Sequence, residues 1–292
     1  MGYLVAVTVL WAFSFSLIGV YLSGQVDSYF AVLVRLSLAA LVFAPLLRPV
    51  ATGRRAALGL MAVGAVQIGL MYLCFYQSFE FLSVPEVLLF SVLTPIYISV
   101  LDDLLAGRFR LRCLAAAVLA VVGATVIRYT EVGENVWLGF ALVQGANLCF
   151  AIGQVGYRRL VPYLPAGVPL HAQFGWFFIG AWPLAAMLYA VFGDHDALPT
   201  TTTQWGVLVW LGLGASGLGY YAWNRGLPKV DAGTLAVMNN ALIPAGLTVN
   251  LLIWNHDADI PRLAAGSLLM LAALMINRWM AATRPVSLWS RH

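Results

Sequence analysis

Two short polar clusters interrupt apolar stretches of the sequence, and each cluster ends at a proline. Residues 91–95 read SVLTP, and residues 239–244 read NNALIP. Proline lacks an N–H and clashes with the carbonyl four residues before it, so these two prolines free the backbone carbonyls of Ser91 and Asn240. A freed carbonyl beside hydroxyl and amide side chains can bind the polar end of a small molecule, such as an ammonium group.

The prolines themselves, Pro95 and Pro244, lie near the middle of their apolar stretches. There they predict two matching helix breaks that act as hinges, with Thr94 and Asn239 among the polar neighbours that satisfy the freed backbone groups. An alternative stays open, because proline is frequent in membrane helices and often only kinks them. The matched positions and the adjacent polar residues favour the functional interpretation.

The composition indicates that lipid, rather than water, surrounds most of the chain. Of the 292 residues, 62% are hydrophobic and 10% are charged, whereas a soluble globule has about 25% charged residues. A helix needs roughly 20 mostly apolar residues to cross a bilayer, and ten such spans predict an all-α, polytopic membrane protein. The spans are residues 3–23, 28–47, 57–79, 84–102, 111–128, 136–156, 168–192, 204–224, 232–253 and 262–281.

The sequence has none of the motifs of common enzymes or metal sites. G-x-x-x-x-G-K-[ST], H-E-x-x-H and G-x-S-x-G are not found, so we expect no enzyme, no catalytic residue and no cofactor. Cys74, Cys113 and Cys149 are scattered within apolar spans, which argues against a disulfide framework or a metal site. The net charge of +4 comes from residues at span ends, so nucleic acid is not expected as a partner.

The distribution of basic residues predicts how the chain is oriented. On the side of the two termini lie 13 of the 16 Lys and Arg residues, and the opposite side has Arg128 and Arg262. Cytoplasmic loops of membrane proteins carry an excess of Lys and Arg. Both termini are therefore predicted to be cytoplasmic. The oligomeric state is left open, a monomer included.

The two halves of the chain repeat one another weakly. Tyr72 corresponds to Tyr220 with an offset of 148, and other pairs follow in order with offsets that rise from 137 to 150. The pairs predict two five-helix repeats, residues 1–130 and 135–284, of which the second is inverted because the first has an odd number of crossings. Inverted repeats with interrupted helices are typical of secondary transporters. An ancient duplication without a role in transport is the alternative.

Polar and aromatic residues share faces on several predicted helices. Such faces turn toward one another or toward water in preference to lipid, and aromatic walls suit amphipathic ligands. Other aromatic residues are better explained by a position at the membrane interface. The candidate substrate-binding residues are Trp11, Tyr72, Tyr76, Ser91, Thr94, Asn147, Tyr220, Trp223, Asn224, Asn239 and Asn240.

Arg35 is the one basic residue that lies deep within a predicted span. A charge inside the bilayer is costly, which makes this residue a functional candidate. A structural role, in which Arg35 braces its helix against neighbouring carbonyls, carries equal weight. The side chain is also close enough to the end of its span to snorkel toward the headgroups. Its counterpart in the second half is Gln173, so the repeat does not require the charge.

The whole chain resembles the drug/metabolite transporter superfamily, in particular its EamA family of ten-helix carriers. The resemblance rests on the segments LWAFSFSLIGVYL, VLVRLSLAALVFAPLL, YQSFEFLSVPEVLLFSVLTP and AWNRGLPKVDAGTLAVMNNALIP. Within the family the chain is most similar to the YddG-type exporters of aromatic amino acids, which implies a location in a bacterial inner membrane. The resemblance also implies a basket of helices 1–4 and 6–9 around a central cavity, with helices 5 and 10 outside.

We therefore expect a secondary transporter that exports amino acids, aromatic and other amphipathic ones, by alternating access. The expected partners are a small-molecule substrate and the lipid bilayer. A transporter of the same superfamily that exports drugs or other small metabolites is the first alternative. A membrane receptor or scaffold that does not transport is the alternative from another class.

Overall fold

The computed structural model describes residues 2–105, 107, 134–230, 232–254, 261, 264, 265, 268 and 275. Within these residues helices account for nearly all of the chain. The long helices are α1 (Gly2–Tyr21), α2 (Ser28–Phe43), α3 (Arg54–Ser78), α4 (84–105), α5 (Glu134–Leu160), α6 (His171–Phe192), α7 (202–226) and α8 (Ala232–Ile253). Short 3-10 turns follow α2, α5 and α7 at Ala44–Leu46, Val161–Tyr163 and Leu227–Lys229.

These helices confirm the all-α membrane architecture. Each of the eight coincides with a predicted span to within four residues at either end. Six of them are long and apolar enough to cross a membrane. The two other predicted spans, 111–128 and 262–281, lie wholly or almost wholly outside the described residues.

The eight helices pack into a closed ring. Their contacts run in the order α1, α8, α4, α5, α3, α6, α2, α7 and back to α1. Helices from before residue 106 therefore alternate with helices from after residue 133 all the way around. The ring agrees with the expected basket, and its wall depends equally on both halves of the chain.

The order of helices in the ring also has an internal symmetry. Exchange α1 with α5, α2 with α6, α3 with α7 and α4 with α8. Every pair of neighbouring helices in the ring then corresponds again to a pair of neighbours. A duplicated unit produces this pattern naturally. The boundaries at 1–130 and 135–284, and the inverted orientation of the second unit, stay predictions.

Two stretches of wider π-helix lie at matching places in the two halves. α3 contains one at Ala65–Leu70, and α7 contains one at Trp210–Gly219. Tyr72 and Tyr220, the pair identified from the repeat, follow directly after these stretches, and both are buried. π-Turns often occur at functional sites, because they shift the face that the following residues present.

The two prolines affect their helices differently. α4 is interrupted by a 3-10 turn at Ser91–Leu93, and Pro95 follows in the next turn. α8, by contrast, continues as one α-helix from Ala232 to Ile253 through Pro244. The expectation of two matching breaks is therefore wrong for α8, because a proline can bend a helix without interrupting it. The proposed hinge roles stay predictions.

The two ends of the ring differ in charge. One end carries basic residues, among them Arg48, Arg54, Arg158, Arg159 and Arg225. At the other end, carboxylates fix the starts of two helices. Asp27 accepts a backbone N–H of α2 at 2.7 Å, and Glu86 accepts the backbone N–H of Ser83, just before α4, at 2.8 Å. The residues described thus follow the asymmetry found in the sequence.

Glycine permits the close approach of α3 and α6. A Cβ atom added at Gly64 would overlap the backbone of Phe177, and one added at Gly180 would overlap the backbone of Met61. Small residues at such crossings let membrane helices pack backbone to backbone.

We predict that Gly64→Ala lowers the thermal stability of the purified protein in detergent. Forcing a methyl group against the α6 backbone should cost about 1–3 kcal/mol. The control is Gly206→Ala in α7, where nothing lies within 4 Å of the new methyl group. It should leave the melting midpoint unchanged or slightly raised, because Ala is the better helix former. Equal midpoints for Gly64→Ala and wild type would contradict the close packing.

Candidate functional site

A cavity lies inside the ring of helices and is lined by every long helix except α6. It contains about 830 Å³ of space not filled by protein atoms, part of it open to solvent. Its lining consists of Thr8, Trp11, Ser14, Phe15, Ile18, Arg35, Met71, Tyr72, Phe75, Ser91, Thr94, Ala146, Asn147, Phe150, Tyr220, Trp223, Met238, Asn239, Leu242 and Ile243.

Aromatic rings from three helices form one wall of the cavity. The centroid of Trp11 lies 5.0 Å from that of Tyr220 and 5.2 Å from that of Trp223. Phe150 contributes a further ring, 6.1 Å from Tyr220. The indole Nε1 of Trp11 donates to the backbone carbonyl of Ala215 at 2.9 Å. The π-helical stretch of α7 thereby holds the central ring of the wall in place.

A group of amides and hydroxyls surrounds the break in α4. The Nδ2 of Asn147 donates to the carbonyl of Phe90 at 2.9 Å, and its Oδ1 accepts from the Thr94 hydroxyl at 3.1 Å. Thr94 also donates to the carbonyl of Ser91 at 2.9 Å, which is the carbonyl that the following proline frees. Gln144 adds a donor to the Phe90 carbonyl at 3.3 Å. The break is thus satisfied by side chains, as expected.

Two more polar groups lie at the far side of the cavity. The indole Nε1 of Trp223 has no hydrogen-bond partner among the described residues, although the side chain is buried. Asn239 on α8 is paired with Gln154 on α5, whose Nε2 donates to the Asn239 Oδ1 at 3.2 Å.

Arg35 is buried at the cavity wall, with 2% of its surface exposed. Its Nη1 donates to the Tyr76 hydroxyl at 2.8 Å, its Nη2 to the Tyr72 hydroxyl at 2.9 Å and its Nε to Ser216 Oγ at 2.9 Å. The side chain therefore does not snorkel toward the headgroups. It points inward because hydroxyl groups of α3 and α7 offer partners at its own depth, where backbone carbonyls were expected.

Comparison with known proteins identifies the family. The model of the EamA-like transporter family matches residues 1–129. A protein of Pseudomonas aeruginosa named probable biotin transporter is 55% identical over 278 residues, which cover 95% of this chain and 97% of that protein. This chain belongs to the EamA-like transporter family.

Other proteins similar to this EamA-like transporter also match it over nearly the whole chain. Proteins named biotin transporter from Salmonella typhimurium and Escherichia coli K12 are each 49% identical over 284 residues, which cover 96% of this chain and 94% of theirs. A solved crystal structure shares the fold, with a TM-score of 0.67 at 18% identity and coverage of 97% of this chain and 98% of that one.

The family confirms a transporter of the drug/metabolite type that crosses the membrane several times. The expectation of amino acid export finds no support among these relatives, and the alternative of another small metabolite fits them better. Aromatic walls and amides suit any amphipathic molecule, so these features of the sequence were unable to decide the substrate.

The structure brings most of the candidate residues together. Eight of the eleven line the cavity: Trp11, Tyr72, Ser91, Thr94, Asn147, Tyr220, Trp223 and Asn239. Tyr76 lies behind the cavity wall, where it holds Arg35. Asn224 is fully buried and donates to the Tyr220 carbonyl at 2.9 Å. Asn240 is outside the lining, and its side-chain amide has no partner among the described residues. Their roles in binding stay predictions.

The residues of the site that the sequence analysis did not name include Phe75, Phe150 and Ser216. Phe150 is three positions after Asn147 and so shares its helix face, a signal that would have identified it. Phe75 follows Tyr72 at the same spacing. Ser216 lies inside the π-helical stretch of α7, where the ordinary helical period does not apply, so its direction was not readable from spacing.

We predict that Asn147→Ala destabilises the transporter by about 1–3 kcal/mol. The change leaves the Phe90 carbonyl without its short hydrogen bond and removes one of the two acceptors of the Thr94 hydroxyl. Leu148→Ala is the control, because the neighbouring side chain is 38% exposed on the outer face of α5. Thermal melting of both purified variants measures the difference, and a larger loss for Leu148→Ala would contradict the bracing role of Asn147.

Proposed function

We propose that this EamA-like transporter carries biotin across the inner membrane of a bacterium. The observation that carries the proposal is the match over 95–96% of the chain, at 49–55% identity, to relatives named biotin transporter. That name belongs to those proteins. The chemistry of the cavity supplies a separate argument for this one.

The groups of biotin have counterparts along the cavity. Biotin combines a ureido ring, a fused sulfur-containing ring and an aliphatic chain that ends in a carboxylate. Aromatic side chains such as Trp11 and Phe150 suit the fused rings and the chain. The side-chain oxygen of Asn147 suits a ureido N–H.

The charge of the cavity favours an anion over an amino acid. Arg35 is the one charged residue in the described lining, and no Asp or Glu of the described residues lines the cavity. An amino acid brings an ammonium group as well as a carboxylate, and no carboxylate of the described lining pairs with that ammonium group. Biotin brings a negative charge alone. This difference is the physical reason to prefer biotin to the aromatic amino acids.

Alternating access requires the acidic end of the ring to open. At that end the α1–α2 loop is tied to the α3–α4 turn: Ser23 Oγ donates to the Phe79 carbonyl at 2.7 Å, and Glu80 accepts from Gly24 N at 3.3 Å and from Ser28 Oγ at 3.2 Å. These few bonds lie between helices of the first half. They can break without disturbing the buried core.

The opposite end has an ion pair between α4 and α5, in which Arg159 lies 3.6 Å from Asp102. Both side chains are partly exposed, so the pair contributes little to stability and can separate. We infer that the helices rock about the break before Pro95 and about Pro244. One end of the ring then opens as the other end closes. The cavity would then face one side at a time.

We predict that both termini are cytoplasmic. The basic end of the ring includes the start of α1, where the Arg225 guanidinium lies 5.2 Å from the ring of Tyr3. Reporter enzymes fused to the C-terminus should be active when they require the cytoplasm and inactive when they require the periplasm. The reverse result would contradict the orientation.

The function is tested with purified protein in liposomes. We expect labelled biotin to enter protein-containing liposomes at least about tenfold faster than protein-free ones, and counterflow should show the same carrier working in both directions. Excess unlabelled biotin should abolish the flux. Labelled tryptophan and phenylalanine are measured alongside, because they are the substrates expected from the resemblance to aromatic amino acid exporters.

Three outcomes separate the candidate substrates. Flux of biotin without flux of amino acids supports the proposal. Flux of the amino acids alone overturns it and restores the expectation from the sequence. Saturable binding of biotin without any flux would indicate a receptor in place of a transporter.

A further inference from the structure

We propose that Arg35, together with Tyr72 and Ser216, forms a subsite that binds the carboxylate of the transported molecule. This inference rests on the proposed function, since it assigns one end of the substrate to one part of the cavity. It applies to any monocarboxylate that fits the cavity.

Arg35 has N–H groups that its three hydrogen bonds do not use. A guanidinium has five N–H groups, and three of them donate to the hydroxyls of Tyr76, Tyr72 and Ser216. The remaining N–H groups, one on each terminal nitrogen, belong to a side chain that lines the cavity. Paired N–H groups of this kind match the oxygens of a carboxylate.

The hydroxyls around Arg35 form a rigid frame. The Tyr72 hydroxyl lies 2.8 Å from Ser216 Oγ, and the Arg35 Cζ lies 4.2 Å from the centroid of the Tyr72 ring. The frame joins α2, α3 and α7 and fixes the plane of the guanidinium. A carboxylate therefore meets a charge that is already oriented, which lowers the entropy cost of binding.

The charge of Arg35 is not balanced by a carboxylate in the part of the chain that the structure describes. The ion pair found there is the one between Arg159 and Asp102 at the end of the ring, and the three hydrogen-bond partners of Arg35 are neutral. A buried cation without a counter-ion is costly in a membrane. A substrate carboxylate would neutralise it, so occupancy of the cavity and neutralisation of Arg35 occur together.

A purely structural brace would not need this charge. Gln173, the counterpart of Arg35 in the second half, is also buried and donates to the Val168 carbonyl at 2.7 Å, yet it does not line the cavity. A neutral amide therefore serves at the equivalent place where no ligand is near. The positive charge is found where the cavity is.

The first test compares ligands on the wild-type protein in liposomes. Biotin, desthiobiotin and biotinamide compete with labelled biotin; desthiobiotin keeps the carboxylate, whereas biotinamide replaces it with a neutral amide of the same shape. We expect desthiobiotin to compete well and biotinamide to need a concentration about tenfold to a hundredfold higher, as for a lost charge-assisted interaction. Equal competition by biotin and biotinamide would refute the subsite while leaving biotin transport intact.

The second test repeats the competition with variants. It measures the ratio of the biotinamide concentration to the biotin concentration that gives equal competition with labelled biotin. Arg35→Gln should bring the ratio close to one, and Arg35→Lys should keep part of the preference. Where Arg35→Gln does not fold, Tyr76→Phe serves, because Tyr76 holds the guanidinium without lining the cavity. It should lower the ratio by several-fold. Gln173→Leu is the control and should leave the ratio unchanged even if stability falls.

The two proposals fail in different ways. Suppose that biotin is not transported but other monocarboxylates are, and that Arg35 is needed to reject their amides. The proposal of biotin as the substrate is then wrong, and the proposal of the carboxylate subsite stands. If Arg35→Gln and Gln173→Leu change stability alike and neither alters the ratio, Arg35 is a structural brace and the subsite is wrong.

Discussion

Hydrocarbon offers no hydrogen-bond partners, and this constraint decides how each helix is turned. Asn250 on α8 donates to Ser16 on α1 at 3.2 Å, and both side chains are buried between their helices. Apolar residues such as Leu41 and Leu252 point outward instead. Eight helices that each hide a polar face can satisfy one another only by closing a ring. The cavity is the place where the inner faces of seven of these helices meet without filling all the space between them.

The bundle combines close packing with an open interior because the two features involve different helices. α6 approaches α3 through Gly64 and Gly180 and contributes nothing to the cavity lining. The other seven helices leave space at their inner faces, where the π-helical stretches of α3 and α7 redirect Tyr72 and Tyr220. In the proposed cycle, the bonds at the two ends of the ring are the parts that have to change.

The sequence predicted the features that the bilayer imposes on any chain. Span positions followed from the thickness of the membrane, and Asn147, Thr94 and Trp11 could be recognised because they are polar or amphipathic side chains in apolar surroundings. Features that depend on local geometry were not predictable. Ser216 lies in a helix of altered period, the helix of α8 continues through Pro244, and the direction of Arg35 depends on hydroxyls of two other helices. The substrate was not decided by the sequence, because rings and amides do not distinguish an amino acid from another amphipathic metabolite.

Arg35 is the one charged residue of the described cavity lining, and its position on one side of the cavity affects transport. The two halves have the same neighbour relations in the ring. In the repeat predicted from the sequence, the residue that corresponds to Arg35 is the neutral Gln173. A substrate with one charged end and one neutral end is itself asymmetric, so the charge gives it one preferred orientation in the cavity. Arg35 stays on α2 while the ends of the ring open and close. The bound molecule would then keep the same end toward the same helix throughout the cycle, and it would leave the cavity without having to rotate.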